Sequence, residues 1–407
     1  MTETSLFPRP RKVETIGGAG AAANTSISVT QDATLASQGY RLDYSDKGIL
    51  LAFSDAAGLR YGMQTLDQLR AQPRQQQVAV HIEDWPDFTH RGFMLDVSRD
   101  RVPTRASLAR LVKILDLARI NHLEIYTEHT FAYRGHEKVW RDASPLTPQD
   151  VRWLDDLCAS HGIELVPNQN TFGHWERWLA IEQYLPRAEN QSGIQIGNEF
   201  LAPSTLAPTS DNAAFVTELL EELTPNFRSN RLNIGADETW ELGTGVSKSR
   251  AEKEGLATVY LDYVTEVMAP WVERDYTVEF WADILGTYPE LMSRIPKGTM
   301  PIVWHYDSPT LVQDTIANMG EEEWTQLAAH GYGPENLTKD FTDRAKALVA
   351  AGAPFWVAPG TSTWLSILGR LQNAKENMID AAELGITQQS TGYLNTAWGI
   401  TACSIRQ

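Results

Sequence analysis

Cysteine is scarce in this chain: Cys158 and Cys403 are the only two among 407 residues, and they stand far apart. That scarcity excludes a disulfide framework and any cysteine-based metal site, both of which need several thiols at short spacing. Long apolar runs are also missing, since none approaches the roughly 20 residues of a membrane-spanning helix. The opening stretch MTETSLFPRPRKVETIGG has no apolar core of the signal-peptide kind. The expectation is a soluble, cytoplasmic protein with reduced thiols. Basic residues are outnumbered, 35 Lys and Arg against 52 Asp and Glu, which gives a formal net charge of −17. Such a chain, with a pI near 5.0, lacks the basic patches that nucleic acid or an anionic membrane requires, so neither is expected as a partner. No low-complexity tract, internal repeat or His-x-x-x-His spacing stands out, and no metal or other cofactor is expected.

What is present is an alternation of two kinds of segment. Residues 1–86 mix short half-buried strand patterns (TSISVT, YRLDYS, GILLAFS) with one helical stretch, AGLRYGMQTLDQLRAQ, in which Met63, Leu66 and Leu69 share a face. This reads as a small α+β domain that IEDWPDFTHRG closes. From residue 87 to 407, eight compact apolar runs (GFMLDV, HLEIYT, IELVPN, LNIGA, VEFWAD, PIVWHY, FWVAP and GYLNTAW) alternate with amphipathic helical stretches, the pattern of a (β/α)8 barrel. Gly162 and Gly385 fall where helix C-caps belong. Residues 175–206 fit no single βα unit and read as an inserted loop.

Catalysis in such barrels sits at the carboxyl ends of the strands. Polar and aromatic residues gather at those ends: Asp96, Glu128, His129, Asn170, His174, Asp237, Glu238, Trp281, Asp283, Trp304, Tyr306, Trp364 and Trp398. Of the thirteen tryptophans, Trp140, Trp153, Trp178, Trp271 and Trp324 are assigned to packing. The four at strand ends present flat indole faces suited to a pyranose ring. The adjacent acids Asp237 and Glu238 repel each other, so their surroundings must push their two pKa values apart if both are to work on one substrate. Side chains of neighbouring strand residues leave in opposite directions and can reach different atoms of one ring.

HRGFMLDVSRDRVP, followed much later by IGADETW, resembles the β-N-acetylhexosaminidases of glycoside hydrolase family 20. AGLRYGMQTLDQL, PGTSTW and GYLNTAWG extend the likeness over nearly the whole chain, closest to a bacterial branch without secretion signals. The resemblance implies an exo-acting enzyme that releases terminal β-linked GlcNAc from an oligosaccharide or glycoside, with GalNAc left open as a further terminal sugar. In that family the substrate's own acetamido oxygen is the nucleophile. It further implies that Asp237 orients the acetamido N–H and that Glu238 protonates the glycosidic oxygen. Arg91 matches the arginine on the sugar hydroxyls, His174 the histidine near the acid, and Trp281, Trp304 and Trp398 the aromatic walls. Glu128 stands where the family has an aspartate, and Asp283 joins the substrate-binding set.

Two departures matter. PGTSTW offers Trp364 where the family carries a tyrosine that holds the acetamido carbonyl, leaving Trp364 or Tyr306 as the donor. After Trp398 the resemblance predicts Gly and then an acid, whereas the chain reads WGITACSIRQ. Shifting the frame by one base can turn Ile-Thr-Ala-Cys-Ser-Ile-Arg into Asp-Asn-Gly-Met-Phe-Asp-Gln. The tail from Ile400 is therefore expected to be frameshifted, with a C-terminal helical region lost. That damage keeps a second reading open, a sugar-binding protein with impaired turnover. A retaining glycosidase of another barrel family, with its own carboxylate nucleophile, is a third.

Overall fold

The computed structural model describes residues 5–73, 77–99, 101–196, 199–283, 285, 288–320, 339–364, 366 and 369–399. Two compact units emerge, residues 1–91 with 110–121, and residues 92–109 with 122–407. The first unit thus runs five residues past the boundary at 86 read from sequence and also takes in residues 110–121.

In the first unit a sheet of order β1-β5-β3-β4-β2 is built from β1 (Lys12–Ala19), β2 (Ile27–Gln31), β3 (Tyr40–Ser45), β4 (Gly48–Phe53) and β5 (Val78–Asp84). Strict alternation in YRLDYS turns Tyr40, Leu42 and Tyr44 inward, where they meet Ile49, Leu51, Val80 and Ile82. The helix Ala56–Ala71 starts at Asp55, whose carboxylate caps the Gly58 N–H at 2.9 Å, and it buries Leu66 and Leu69 on that core. Two strands escaped the sequence reading. β1 is exposed along its whole length and carries no alternation, while β5 starts four residues ahead of the closing segment and runs into it.

The second unit is a closed barrel. Its strands are β6 (His90–Asp96), β7 (His122–Thr127), β8 (Glu164–Gln169), β11 (Arg231–Asn233), β12 (Thr277–Trp281), β13 (Thr299–Trp304), β14 (Trp356–Ala358) and β15 (Gly392–Ala397). All eight strands coincide with the apolar runs. The Pro148–Ser160 helix has a capping box between Thr147 and Asp150, and Gly162 follows it at φ 63°. Gly385 is a correction. It lies inside the helix Leu371–Thr387, and Gln389, at φ 56°, takes the left-handed position that ends it.

Interior side chains form two kinds of layer. Met94, Tyr126, Trp281, Ile302, Trp356 and Leu394 make an apolar cluster. Nearer the amino ends, Glu124 accepts from Asn168 at 2.7 Å and Asn233 at 3.0 Å, and its other oxygen lies 3.0 Å from His122 Nε2. Arg231 donates to Glu279 at 2.8 Å in the same layer. Residues 175–206 contain a hairpin of β9 (Ile194–Ile196) and β10 (Glu199–Leu201). Glu241 anchors this insertion by accepting from the Ser204 N–H at 2.6 Å, the Ser204 hydroxyl at 2.8 Å and the Thr205 hydroxyl.

Candidate active site

At the end of β11 the backbone turns sharply. Gly235 has φ 65°, and a Cβ there would stand 2.8 Å from the Asn170 side chain. Ala236 and Glu238 follow at φ 69° and 50°, a conformation that costs on the order of 1–3 kcal/mol for each non-glycine residue. The Tyr260 hydroxyl holds the turn by donating to the Ala236 carbonyl at 2.7 Å. Gly173, on the facing loop, allows the Asp237 carbonyl to approach where a Cβ would be 2.2 Å away. The result sets the two acids in different surroundings. Asp237 is 6% exposed and its Oδ1 accepts from Asn170 Nδ2 at 2.7 Å. The Glu238 side chain is 35% exposed and opens into a cavity of about 400 Å³.

His174 lies between them, with Nε2 3.5 Å from Asp237 Oδ2 and 3.4 Å from Glu238 Oε2. Burial alone would neutralise this imidazole, but the charges of Asp237, Glu128 and Glu238 outweigh it and push its pKa up to about 10. The group between the acids is thus an imidazolium. Glu238 is itself raised, first by burial and then by the Asp237 charge, against the opposing pull of His174. Asp283 is pushed up to about 7 by burial and by Asp237.

Aromatic rings make up much of the rest. Trp304 stacks on Tyr306, ring centroids 5.2 Å apart, and Trp398 meets Tyr126 edge to face at 4.8 Å. Trp364 stands at the mouth, 53% exposed. Trp281 is completely buried and backs Trp398, 6.1 Å away, without lining the cavity.

The structure corrects the placement of Arg91. Position 91 lies at the amino end of β6, and its guanidinium donates to the Arg119 carbonyl at 2.9 Å, the Phe88 carbonyl at 2.7 Å, Gln38 at 3.0 Å and the Tyr61 hydroxyl at 2.7 Å. Arg99, eight residues on and beyond the carboxyl end of the strand, stands in the cavity wall instead. It pairs with Glu128, which also accepts from the Tyr126 hydroxyl at 2.8 Å. Burial pushes Glu128 up to about 7 despite Arg99 and His174. Of the residues singled out from sequence, His174, Asp237, Glu238, Trp304, Tyr306, Trp364 and Trp398 line the cavity, while Glu128, Trp281 and Asp283 do not. Arg99, His305, Asp307 and Arg344 line it unforeseen. Ile400–Gln407 lie outside the described residues.

Away from the cavity, His122, Glu124 and Glu279 form a cluster of metal-ligand types, with one atom from each within 4.8 Å of the others. Asn168, Asn233 and Arg231 already donate to its carboxylates. It belongs to the barrel interior and not to the cavity lining.

A cationic imidazole thus lies between two unequal acids and faces an aromatic-lined cavity at the carboxyl rim of the barrel. Comparison with known proteins agrees. Residues 88–323 match the model of the glycosyl hydrolase family 20 catalytic domain, and residues 9–85 match that family's domain 2. The chain belongs to glycosyl hydrolase family 20. It is 23% identical over 325 residues to human beta-hexosaminidase subunit beta, covering 68% of this chain and 56% of that protein. The chain spans about half the length of the curated relatives it matches. A crystal structure of a beta-N-acetylhexosaminidase shares the fold with TM-score 0.72 at 18% identity, covering 98% of this chain and 85% of that one. The beta-N-acetylhexosaminidase of Bacteroides fragilis does so with TM-score 0.68 at 17% identity, covering 98% and 87%.

Proposed function

We propose that this chain is an exo-acting β-N-acetylhexosaminidase that hydrolyses terminal β-linked GlcNAc, and also GalNAc, with the substrate's acetamido group as nucleophile. The observation that carries the reading is the unequal environment of Asp237 and Glu238. Asp237, held by Asn170 and faced by the His174 cation, is suited to receive the acetamido N–H and to stabilise the positive charge that develops as the oxygen attacks the anomeric carbon. Glu238, raised and open to the cavity, is suited to give its proton to the departing oxygen and then to take one from the incoming water. Arg99 inherits the role first placed on Arg91, a fork for sugar hydroxyls. Tyr306, whose hydroxyl burial keeps protonated, is the better donor to the acetamido carbonyl, since Trp364 stands at the open mouth.

A cytoplasmic location belongs to the same proposal, in keeping with the buried, unpaired Cys158, and cell fractionation tests it. No helix among the described residues is long and apolar enough to cross a membrane. The activity is tested with 4-nitrophenyl N-acetyl-β-D-glucosaminide beside the matching 2-hydroxy glucoside. The first should be cleaved and the second left nearly untouched, and trifluorination of the acetyl group should slow cleavage by withdrawing electrons from the attacking oxygen. A rate indifferent to fluorine would refute acetamido participation.

A further inference from the structure

The first unit has a cavity of its own, of about 240 Å³. Four arginines line it, Arg9, Arg11, Arg91 and Arg119, against two carboxylates, Asp84 and Asp87. Both acids are already engaged. Asp84, 8% exposed, pairs with Arg119 and accepts from the Arg11 backbone N–H at 3.1 Å. Asp87 pairs with the Arg11 guanidinium. Arg91 differs from both of those arginines. Among the described residues it meets no carboxylate at ion-pair distance, and its side-chain hydrogen bonds all run to uncharged acceptors. Burial lowers its pKa, and the neighbouring Arg119 charge adds to that.

The lining holds donors as well as charge. Arg119 gives N–H groups to Asp84, Tyr40 and Thr65, and its buried Nε finds no acceptor among the described residues. The Tyr61 hydroxyl accepts from Arg91 at 2.7 Å, and its own hydrogen is still available to a ligand. Aromatic rings fix the cations in place. The Cζ atoms of Arg91 and Arg119 lie 5.4 and 5.6 Å from the centre of the Tyr61 ring, and that of Arg11 lies 4.9 Å from the centre of Trp85. Four guanidinium groups against two carboxylates leave a local excess of two positive charges. The chain as a whole carries −17 and repels anions, so this excess acts only at close range. It matches a phosphate monoester, which carries roughly −1.5 to −2 at pH 7, better than a single carboxylate.

We propose that this cavity is a binding site for a small phosphate monoester, its phosphate taken by the guanidinium groups of Arg9 and Arg91 and its organic part lying against Trp85 and Phe88. Arg9 is exposed and marks the side from which the ligand enters. Planar, forked guanidinium groups suit the oxygens of a phosphate, two of which can be held at once. The site lies wholly within the first unit and shares no residue with the cavity beside Asp237 and Glu238. It is therefore independent of the glycosidase reading.

The test is calorimetric titration of the full chain with glycerol 3-phosphate, glucose 6-phosphate, inorganic phosphate and acetate, at one ionic strength held by sodium chloride. At least one of the two esters should bind saturably, at one site per chain, and about ten-fold or more tightly than acetate, the scale of one charge-assisted bidentate contact. The same ester should raise the melting temperature in a concentration-dependent way. Inorganic phosphate should bind more weakly than that ester, because it lacks the organic part that meets Trp85 and Phe88. Equal affinity for the two would assign the cavity to the free anion and overturn the ester. Arg9→Gln and Arg91→Lys should each weaken ester binding by about ten-fold. Should Arg91→Lys fail to fold, the exposed Arg9→Gln decides. Absence of saturable binding by both esters overturns the site, as does an ester affinity that Arg9→Gln leaves unchanged.

Discussion

Asn170 Nδ2 donates to Asp237 Oδ1 at 2.7 Å, while Asn170 Oδ1 accepts from the backbone N–H groups of Phe172 and Ala236, each at 3.2 Å. One amide therefore aims the carboxylate and holds the strained turn that carries it. Asn170→Ala should reduce kcat by roughly ten- to a hundred-fold, the loss of one hydrogen bond to a charged group. KM should change less, because Asp237 matters most when charge develops. Steady-state kinetics on the chromogenic GlcNAc glycoside checks this, and a loss confined to KM would contradict it.

Arg91 and Arg99 make a matched pair of substitutions. Arg91→Ala leaves several acceptors without their donor and should lower the melting temperature while kinetics stay close to those of the unaltered chain. Arg99→Ala should lower kcat/KM by at least about ten-fold, because it removes a cavity-wall cation and takes from the buried Glu128 its arginine partner. Melting curves and kcat/KM measured on both variants separate the two roles.

Glu238→Gln keeps the shape of the side chain and removes its proton. General acid catalysis typically contributes about 10² to 10⁴-fold, so turnover of alkyl glycosides should fall by that order. Aryl glycosides with activated leaving groups need less protonation and should suffer less. Equal losses on both substrate types would remove Glu238 from the role.

The pH dependence follows from the same cluster. Glu238 is raised, so it keeps its proton above the ordinary glutamate range and the alkaline limb of kcat/KM is displaced upward. His174→Asn removes a cation that holds Glu238 down, and should move that limb higher still while lowering the rate. The folded pKa of His174, about 10, exceeds its unfolded value of 6.5. Its stabilising effect is therefore complete below pH 6.5 and disappears as pH rises toward 10. His174→Asn should cost more stability at pH 6 than at pH 10, which denaturant melts at the two values would show.

Much of the barrel was legible because each of its strands is an apolar run bounded by turn residues, as in HLEIYT, which matches β7 (His122–Thr127) residue for residue. β1 was not, because an exposed strand such as KVETIGGA carries no burial pattern for periodicity to detect. The arginines show the same limit inside one motif. HRGFMLDVSRD holds both Arg91 and Arg99, and only the direction of β6 tells which end reaches the rim. That direction was available, since a residue at the start of a barrel strand belongs to the opposite end from catalysis. Arg344 offered no such signal. It comes from a helix, where a lone arginine is ordinarily a solvated side chain, and only the packing of that helix's first turns brings it to the cavity.

The polar layer around Glu124 acts on a different scale, as a vernier between strands. Its partners sit on β8 and β11, so a slip of either strand by one residue would turn Asn168 or Asn233 away and leave a buried carboxylate short of a donor. Glu128 and Asp237 each stand four residues beyond Glu124 and Asn233 on the same stretches of chain. The layer that rejects a wrong stagger therefore also sets the height at which those two acids emerge. An apolar replacement of the whole layer could match it in stability, yet it would no longer single out the one alignment in which Asp237 and Glu128 both lie within reach of the His174 ring.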